Sequence, residues 1–154
     1  MEKKSVTFIL AGGHLSLPFL KEQIERYDSP VIIAADRGLE ACLSVGAEPD
    51  YVIGDFDSID PAVKEAFLAN QRNVTKLNPI KDDTDSEAAL QLAFEKTQGD
   101  IYILGGTGTR LDHVLGNIAI LGQGFERKRQ IFLLDEHNRI RLVQKECRIR
   151  KDMQ

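Results

Sequence analysis

Apolar and polar positions alternate along this chain in blocks. Val6-Thr7-Phe8-Ile9-Leu10, Val31-Ile32-Ile33-Ala34-Ala35, Tyr51-Val52-Ile53, Asp100-Ile101-Tyr102-Ile103-Leu104 and Gln130-Ile131-Phe132-Leu133-Leu134 are short runs rich in β-branched and aromatic residues. They read as buried strands, with Val74-Thr75-Lys76-Leu77 as a weaker one. Helical spacing fills the intervals: Leu17, Leu20 and Ile24 after a start at Ser16-Leu17-Pro18; Leu39, Cys42 and Leu43; Val63, Ala66 and Phe67 behind Asp60-Pro61. Thr84-Asp85-Ser86-Glu87 is a capping-box sequence ahead of Ala88, Ala89, Leu92 and Ala93. Leu111, Val114, Leu115, Ile118 and Ala119 keep the i, i+3, i+4, i+7, i+8 rule and predict a helix buried along that stripe, with His113 and Asn117 off it. Asp135 to Asn138 is a turn into a last strand, Arg139 to Val143, and the Arg127-Lys128-Arg129 patch before strand 130–134 reads as a solvated turn.

Strand-then-helix repetition predicts an α/β fold: three layers, a mostly parallel, Rossmann-like sheet with helices on both faces. In such sheets ligands bind beyond the carboxyl ends of the strands. Four polar clusters follow candidate strands: Asp36-Arg37-Gly38, Asp55 to Ser58, Lys81 to Asp85, and Gly105 to Asp112. The topology can gather them on one rim.

Composition adds limits. A length of 154 residues, 42% hydrophobic and 29% charged, suits one domain with its own core, and a net charge of −4 offers no basic footprint for nucleic acid. No apolar run is long enough to span a bilayer and no secretory signal is legible, which makes cytoplasm the expected compartment. Cys42 and Cys147 form no C-x-x-C pair, so zinc and dithiol chemistry find no support.

The clusters suggest chemistry. Asp55 and Asp57, one residue apart, suit a divalent cation, because Mg²⁺ takes hard carboxylate oxygens and leaves positions for phosphate and water. A polar turn closing a strand would use the same residues. Seven Asp side chains at 36, 55, 57, 82, 83, 85 and 112 would repel unless a metal and cations joined them, and Lys81 and Arg110 are cations of the same loops. The Gly105-Gly106-Thr107-Gly108 segment lets backbone N–H groups approach an anion, although it is neither a Walker A loop nor a dinucleotide fingerprint. A tight turn, and for Asp112 or the acidic 82–85 segment a helix-start role, remain open from the residues alone.

In order and wording, Ala35-Asp36-Arg37-Gly38, Gly54-Asp55-Phe56-Asp57-Ser58, Lys81-Asp82-Asp83-Thr84-Asp85 and Gly105-Gly106-Thr107-Gly108-Thr109-Arg110-Leu111-Asp112-His113 resemble the signatures of the bacterial thiamine pyrophosphokinases. The resemblance covers roughly residues 5–143; Arg37 and Thr109 stand where that family often has glycine. It implies transfer of the pyrophosphoryl group of ATP to the hydroxyl of thiamine, giving thiamine diphosphate and AMP. It also implies Mg²⁺ held by Asp55, Asp57 and Asp85, with Arg110 and Asp112 at the reaction centre. Asp36, Lys81, Asp82, Asp83, Thr84, Gly105, Gly106, Gly108 and His113 are implied in nucleotide or thiamine contacts, and no residue stands out as a general base. The family forms homodimers through a second, β-rich domain that completes the thiamine pocket. On that resemblance residues 1–143 are the ATP- and Mg²⁺-binding domain, and 144–154 a polar tail where the β-rich domain would begin, leaving turnover by this chain in question. A non-catalytic nucleotide-binding module is the alternative, and a metal-dependent phosphatase with Asp55 as nucleophile a more distant one.

Overall fold

A computed structural model describes residues 5–54, 60–63, 65, 75–77, 84–108 and 110–150. Strands β1 (Val6–Leu10), β2 (Val31–Ala35), β3 (Tyr51–Ile53), β4 (Thr75–Leu77), β5 (Asp100–Leu104) and β6 (Ile131–Leu134) are parallel, and the two-residue β7 (Arg139–Ile140) runs antiparallel to β6. Their spatial order is β4-β3-β2-β1-β5-β6-β7. The α/β reading therefore holds, with the parallel sheet covered on both faces.

The two faces follow from strand alternation, which sends successive side chains to opposite sides. Phe8, Leu10, Ile32, Tyr102, Leu104 and Phe132 meet Leu20 of α1 (Leu17–Glu25) and Cys42 of α2 (Gly38–Ser44). Ile9, Ile33, Ile53, Ile101, Ile103 and Leu133 meet Ala89, Leu90, Leu92 and Ala93 of α3 (Asp85–Lys96) and Ile120 of α4 (Leu111–Ile120). Burial on both faces is why these strands read as unbroken apolar runs.

Helix starts follow their cap residues. Ser16 Oγ accepts the Phe19 N–H at 3.4 Å, and Thr84 and Glu87 form the full capping box at 3.2 and 3.3 Å. Asp60 Oδ1 accepts the Ala62 N–H at 2.8 Å ahead of a helical turn at 61–63, while Ala66 and Phe67 fall outside the described residues.

Three expectations change. On α4 the stripe is turned: Leu111 and Leu115 are 68% and 58% exposed and Ala119 is exposed, whereas Asn117 is buried with Ile120. The helix lies near the sheet edge, where only the short β7 follows β6, so among the described residues its outer apolar side is left exposed. The last strand pairs over Arg139–Ile140 alone, because β7 is an edge ribbon with a partner on one side only. Arg129 is no solvated turn residue, since its guanidinium donates to the carbonyls of Ala93, Thr97 and Gly99 and to Thr97 Oγ1 at 2.8–3.0 Å.

Candidate functional site

Leaving the sheet at their carboxyl ends, β1 and β5 are neighbours whose following helices lie on opposite faces. Such a divergence opens a crevice between the two loops. At its floor the Ala11 N–H donates to Leu104 O at 2.8 Å and the Gly13 N–H to Gly105 O at 2.9 Å. Gly105 has φ +74°, and a Cβ there would lie 2.5 Å from Ala11 O; one on Gly13 would lie 2.4 Å from Gly105 O. Glycine at both positions is what allows the loops to touch.

The β2 and β3 ends join the same rim. Asp36 adopts φ +50° while its N–H donates to Ile53 O at 3.0 Å. A left-handed conformation is uncommon outside glycine, though Asp and Asn are enriched there. Opposite it Gly54 has φ +121°, and a Cβ on Gly54 would sit 2.6 Å from Asp36 Oδ1. The Asp36 carboxylate thus lies against the point where the acidic stretch begins, and Gly12 approaches from the other side, its Cβ position 3.5 Å from Asp36 Cβ.

Asp85 opens α3, directly after the Thr84 cap, and is partly buried. Thr84 spends its hydroxyl on the helix start. Arg110 is the N-cap of α4, and its Nε and Nη2 donate to the Asp112 carboxylate at 3.2 and 2.7 Å. Both side chains are about two-thirds exposed, at 66% and 63%. The Arg110 hydrogen bond holds the Asp112 carboxyl below its ordinary pKa, assisted by the Arg110 charge and the His113 N–H. His113 is exposed. Asp55, Asp57, Lys81, Asp82 and Asp83 lie outside the described residues. Among the described residues no three His, Cys, Asp or Glu side chains form a metal-holding group.

The loop after β5 has partners that sequence reasoning passed over. Asn117 Nδ2 donates to Gly106 O at 2.9 Å, and Thr107 Oγ1 donates to Asp135 Oδ2 at 2.6 Å. Partial burial would raise the Asp135 pKa, but bonds from Thr107, Asn138 and the His137 and Asn138 N–H groups outweigh it and hold the carboxyl low. A signal existed for Asn117: three residues after Val114 and three before Ile120, it falls on a helical side with apolar neighbours. Gly12-Gly13 directly after a strand was an equally available sign.

Known proteins bear on this rim. A family model described as "Thiamin pyrophosphokinase, catalytic domain" matches residues 25–133. A thiamine pyrophosphokinase of Bacillus subtilis is 32% identical over 139 residues, which are 90% of this chain and 64% of that protein. The crystal structure of thiamine pyrophosphokinase from Bacillus subtilis superposes with a TM-score of 0.76 at 32% identity, over 86% of this chain and 61% of that one. That of thiamin pyrophosphokinase from Geobacillus thermodenitrificans gives 0.72 at 29% identity, over 84% and 59%. The chain spans a little under two thirds of the length of these relatives.

Proposed function

The chain belongs to the thiamin pyrophosphokinase catalytic-domain family, and on that premise we propose that it transfers the pyrophosphoryl group of ATP to the hydroxyl of thiamine. The thiamine oxygen attacks the β-phosphorus, the bond between that phosphorus and the α–β bridging oxygen breaks, AMP leaves, and the hydroxyl proton is released. The observation that supports this best is the rim itself: Asp36, Asp85, the Gly105 to Gly108 loop and Arg110 all come after parallel strands in the chain, and the loops after β1 and β5 meet where the Gly13 N–H donates to Gly105 O.

Magnesium fits the donors available. Every acidic candidate is an Asp carboxylate, the hard oxygen that Mg²⁺ prefers, and among the described residues no cation pairs with Asp85. Asp55, Asp57 and Asp85 would hold the ion, which supplies charge neutralisation on the triphosphate. Asp36, beside Gly54, would hold the start of that acidic stretch in place. Lys81, Asp82 and Asp83 belong to the segment that leads into α3 and are assigned to the nucleotide side, with Thr84 fixing the helix start. Arg110 is set to exchange partners: its solvent-exposed pair with Asp112 is screened and weak, worth less than a guanidinium gains on phosphate in a site shielded from water. Asp112, released in that exchange, and His113 are assigned to the substrate side with it. ATP as donor makes the cytoplasm the working compartment, and homodimer formation is proposed with the family.

Incubated with ATP, Mg²⁺ and thiamine, the protein is expected to form AMP and thiamine diphosphate in equal amounts. ADP as the product would overturn this reading, as would phosphate release from simple esters that disappears in Asp55→Asn. Tight Mg-ATP binding with no AMP formed, persisting when the family's β-rich domain is supplied, would replace it with a nucleotide-binding module.

A further inference from the structure

The peptide groups of the loop after β5 are oriented by groups that belong to none of the four motif cores: the Gly13 backbone and the Asn117 side chain. In a trans peptide the C=O of one residue and the N–H of the next point in opposite directions. Fixing a carbonyl therefore aims the following N–H. Gly105 O is taken by the Gly13 N–H at 2.9 Å, and Gly106 O by Asn117 Nδ2 at 2.9 Å. Both carbonyls are thereby turned to protein partners, and the N–H groups of Gly106 and Thr107 are turned the opposite way. Among the described residues, the N–H groups of Gly106, Thr107 and Gly108 donate to no protein acceptor.

Asn117 can hold this geometry because it is itself held. It is 9% exposed on the inner side of α4, and the fit around Gly106 is close: a Cβ there would lie 2.7 Å from Leu133 Cδ1 and 3.0 Å from Asn117 Nδ2. The next residue has a second anchor. Thr107 donates its hydroxyl to Asp135 Oδ2 at 2.6 Å, and the Asp135 Oδ1 accepts the N–H groups of His137 and Asn138, each at 2.7 Å. The turn after β6 thus braces the loop after β5. A buried amide and a braced carboxylate converge on consecutive residues of one four-residue loop, and both leave its N–H groups without a protein acceptor among the described residues.

We propose that Asn117 and Asp135 are positioning residues for phosphate recognition, acting through the Gly106 carbonyl and the Thr107 hydroxyl to aim the Thr107 N–H at an anionic oxygen beside the Gly106 N–H that Gly13 aims. This rests on the nucleotide reading of the rim. It adds that two residues which touch no substrate set the affinity for the phosphate chain and leave that for thiamine unchanged. Preorganised backbone donors of this kind bind an anion without reorienting when it arrives.

The test is an amide ¹⁵N–¹H titration of the whole chain with Mg-ATP and, separately, with inorganic pyrophosphate. In the unsubstituted protein the Gly106 and Thr107 amides are expected to shift with both. Asn117→Asp, which puts a carboxylate oxygen against the Gly106 carbonyl, and Thr107→Val, which removes the hydroxyl with little change of shape, should each weaken binding about tenfold. Thr107→Ser should restore it, and where turnover is measured, KM for ATP should rise while KM for thiamine stays. Amides that ignore both ligands in the unsubstituted protein would remove the nucleotide reading and this inference together. Amides that respond, with unchanged affinity in Asn117→Asp and Thr107→Val, would remove this inference alone, even if those variants melt earlier.

Discussion

Arg129 shows how much one side chain can settle. Three of its nitrogens reach four acceptors: the carbonyls of Ala93, Thr97 and Gly99, and Thr97 Oγ1. These are groups at and just beyond the end of α3, where a cation complements the helix dipole; the Ala93 carbonyl already accepts the Thr97 N–H and hydroxyl, while the carbonyls of Thr97 and Gly99 lie past the helix. Partial burial lowers the Arg129 pKa, yet a guanidinium stays charged throughout the working range. Arg129→Ala would take this donor from the Thr97 and Gly99 carbonyls, while Ala93 O keeps the Thr97 N–H and hydroxyl, and hydrogen bonds to charged groups are the stronger class. The expected loss is about 2–3 kcal/mol of unfolding free energy, read from urea denaturation. Arg129→Lys should recover little of it, because a point charge cannot span four acceptors. A loss under about 0.5 kcal/mol for the alanine variant would mean the cap is not formed in solution. Nothing in Arg127-Lys128-Arg129 as a string separates this arginine from its exposed neighbours; its acceptors lie some thirty residues earlier, beyond the reach of local pattern.

At the scale of elements, β1, β2, β5 and β6 were legible almost to the residue because both faces are buried, so the apolar run and the strand coincide. The Thr84 capping box was legible for a different reason: its hydrogen bonds are local and need no tertiary partner. Helix α4 was misread because periodicity reports which residues share a side, not which side meets the sheet. Its sequence carries apolar residues on more than one side. Packing selected the side with Asn117, Ile118 and Ile120, and left Leu111 and Leu115 outside. The consequence is measurable. Leu111→Gln and Leu115→Gln should each change stability by no more than about 0.5 kcal/mol, whereas Ile120→Ala, at a position 5% exposed, should cost about 2–4 kcal/mol. If Leu115→Gln costs as much as Ile120→Ala, the outer side of α4 is covered in solution. The site was legible in the same uneven way: the four motifs stood out as strings, but Asn117 and Asp135 enter only through hydrogen bonds across 11 and 28 residues.

For the whole molecule, the decisive fact is the one that no local pattern carries, the strand order. From β1 the chain builds outward through β2, β3 and β4, then α3 carries it back across the sheet to set β5 on the other side of β1. That return makes β1 and β5 the switch point and brings Gly13 and Gly105, distant in sequence, into hydrogen-bond contact. A ligand site at a switch point predicts a one-sided footprint. Hydrogen exchange followed with and without Mg-ATP should show slowed exchange at 11–14, 36–38 and 105–110. The opposite rim, at 46–50, 97–100 and 126–130, should not respond, because those turns close the amino ends of the strands, away from the crevice. Residues 36–38 discriminate further: protection there requires the ligand to reach past the β1 loop to the Asp36 carboxylate, as a triphosphate held jointly by the glycine loop and a metal-binding acidic stretch would. Protection confined to 105–110 would reduce the site to an anion-binding loop, and protection on the amino-end rim would place the nucleotide elsewhere on the fold.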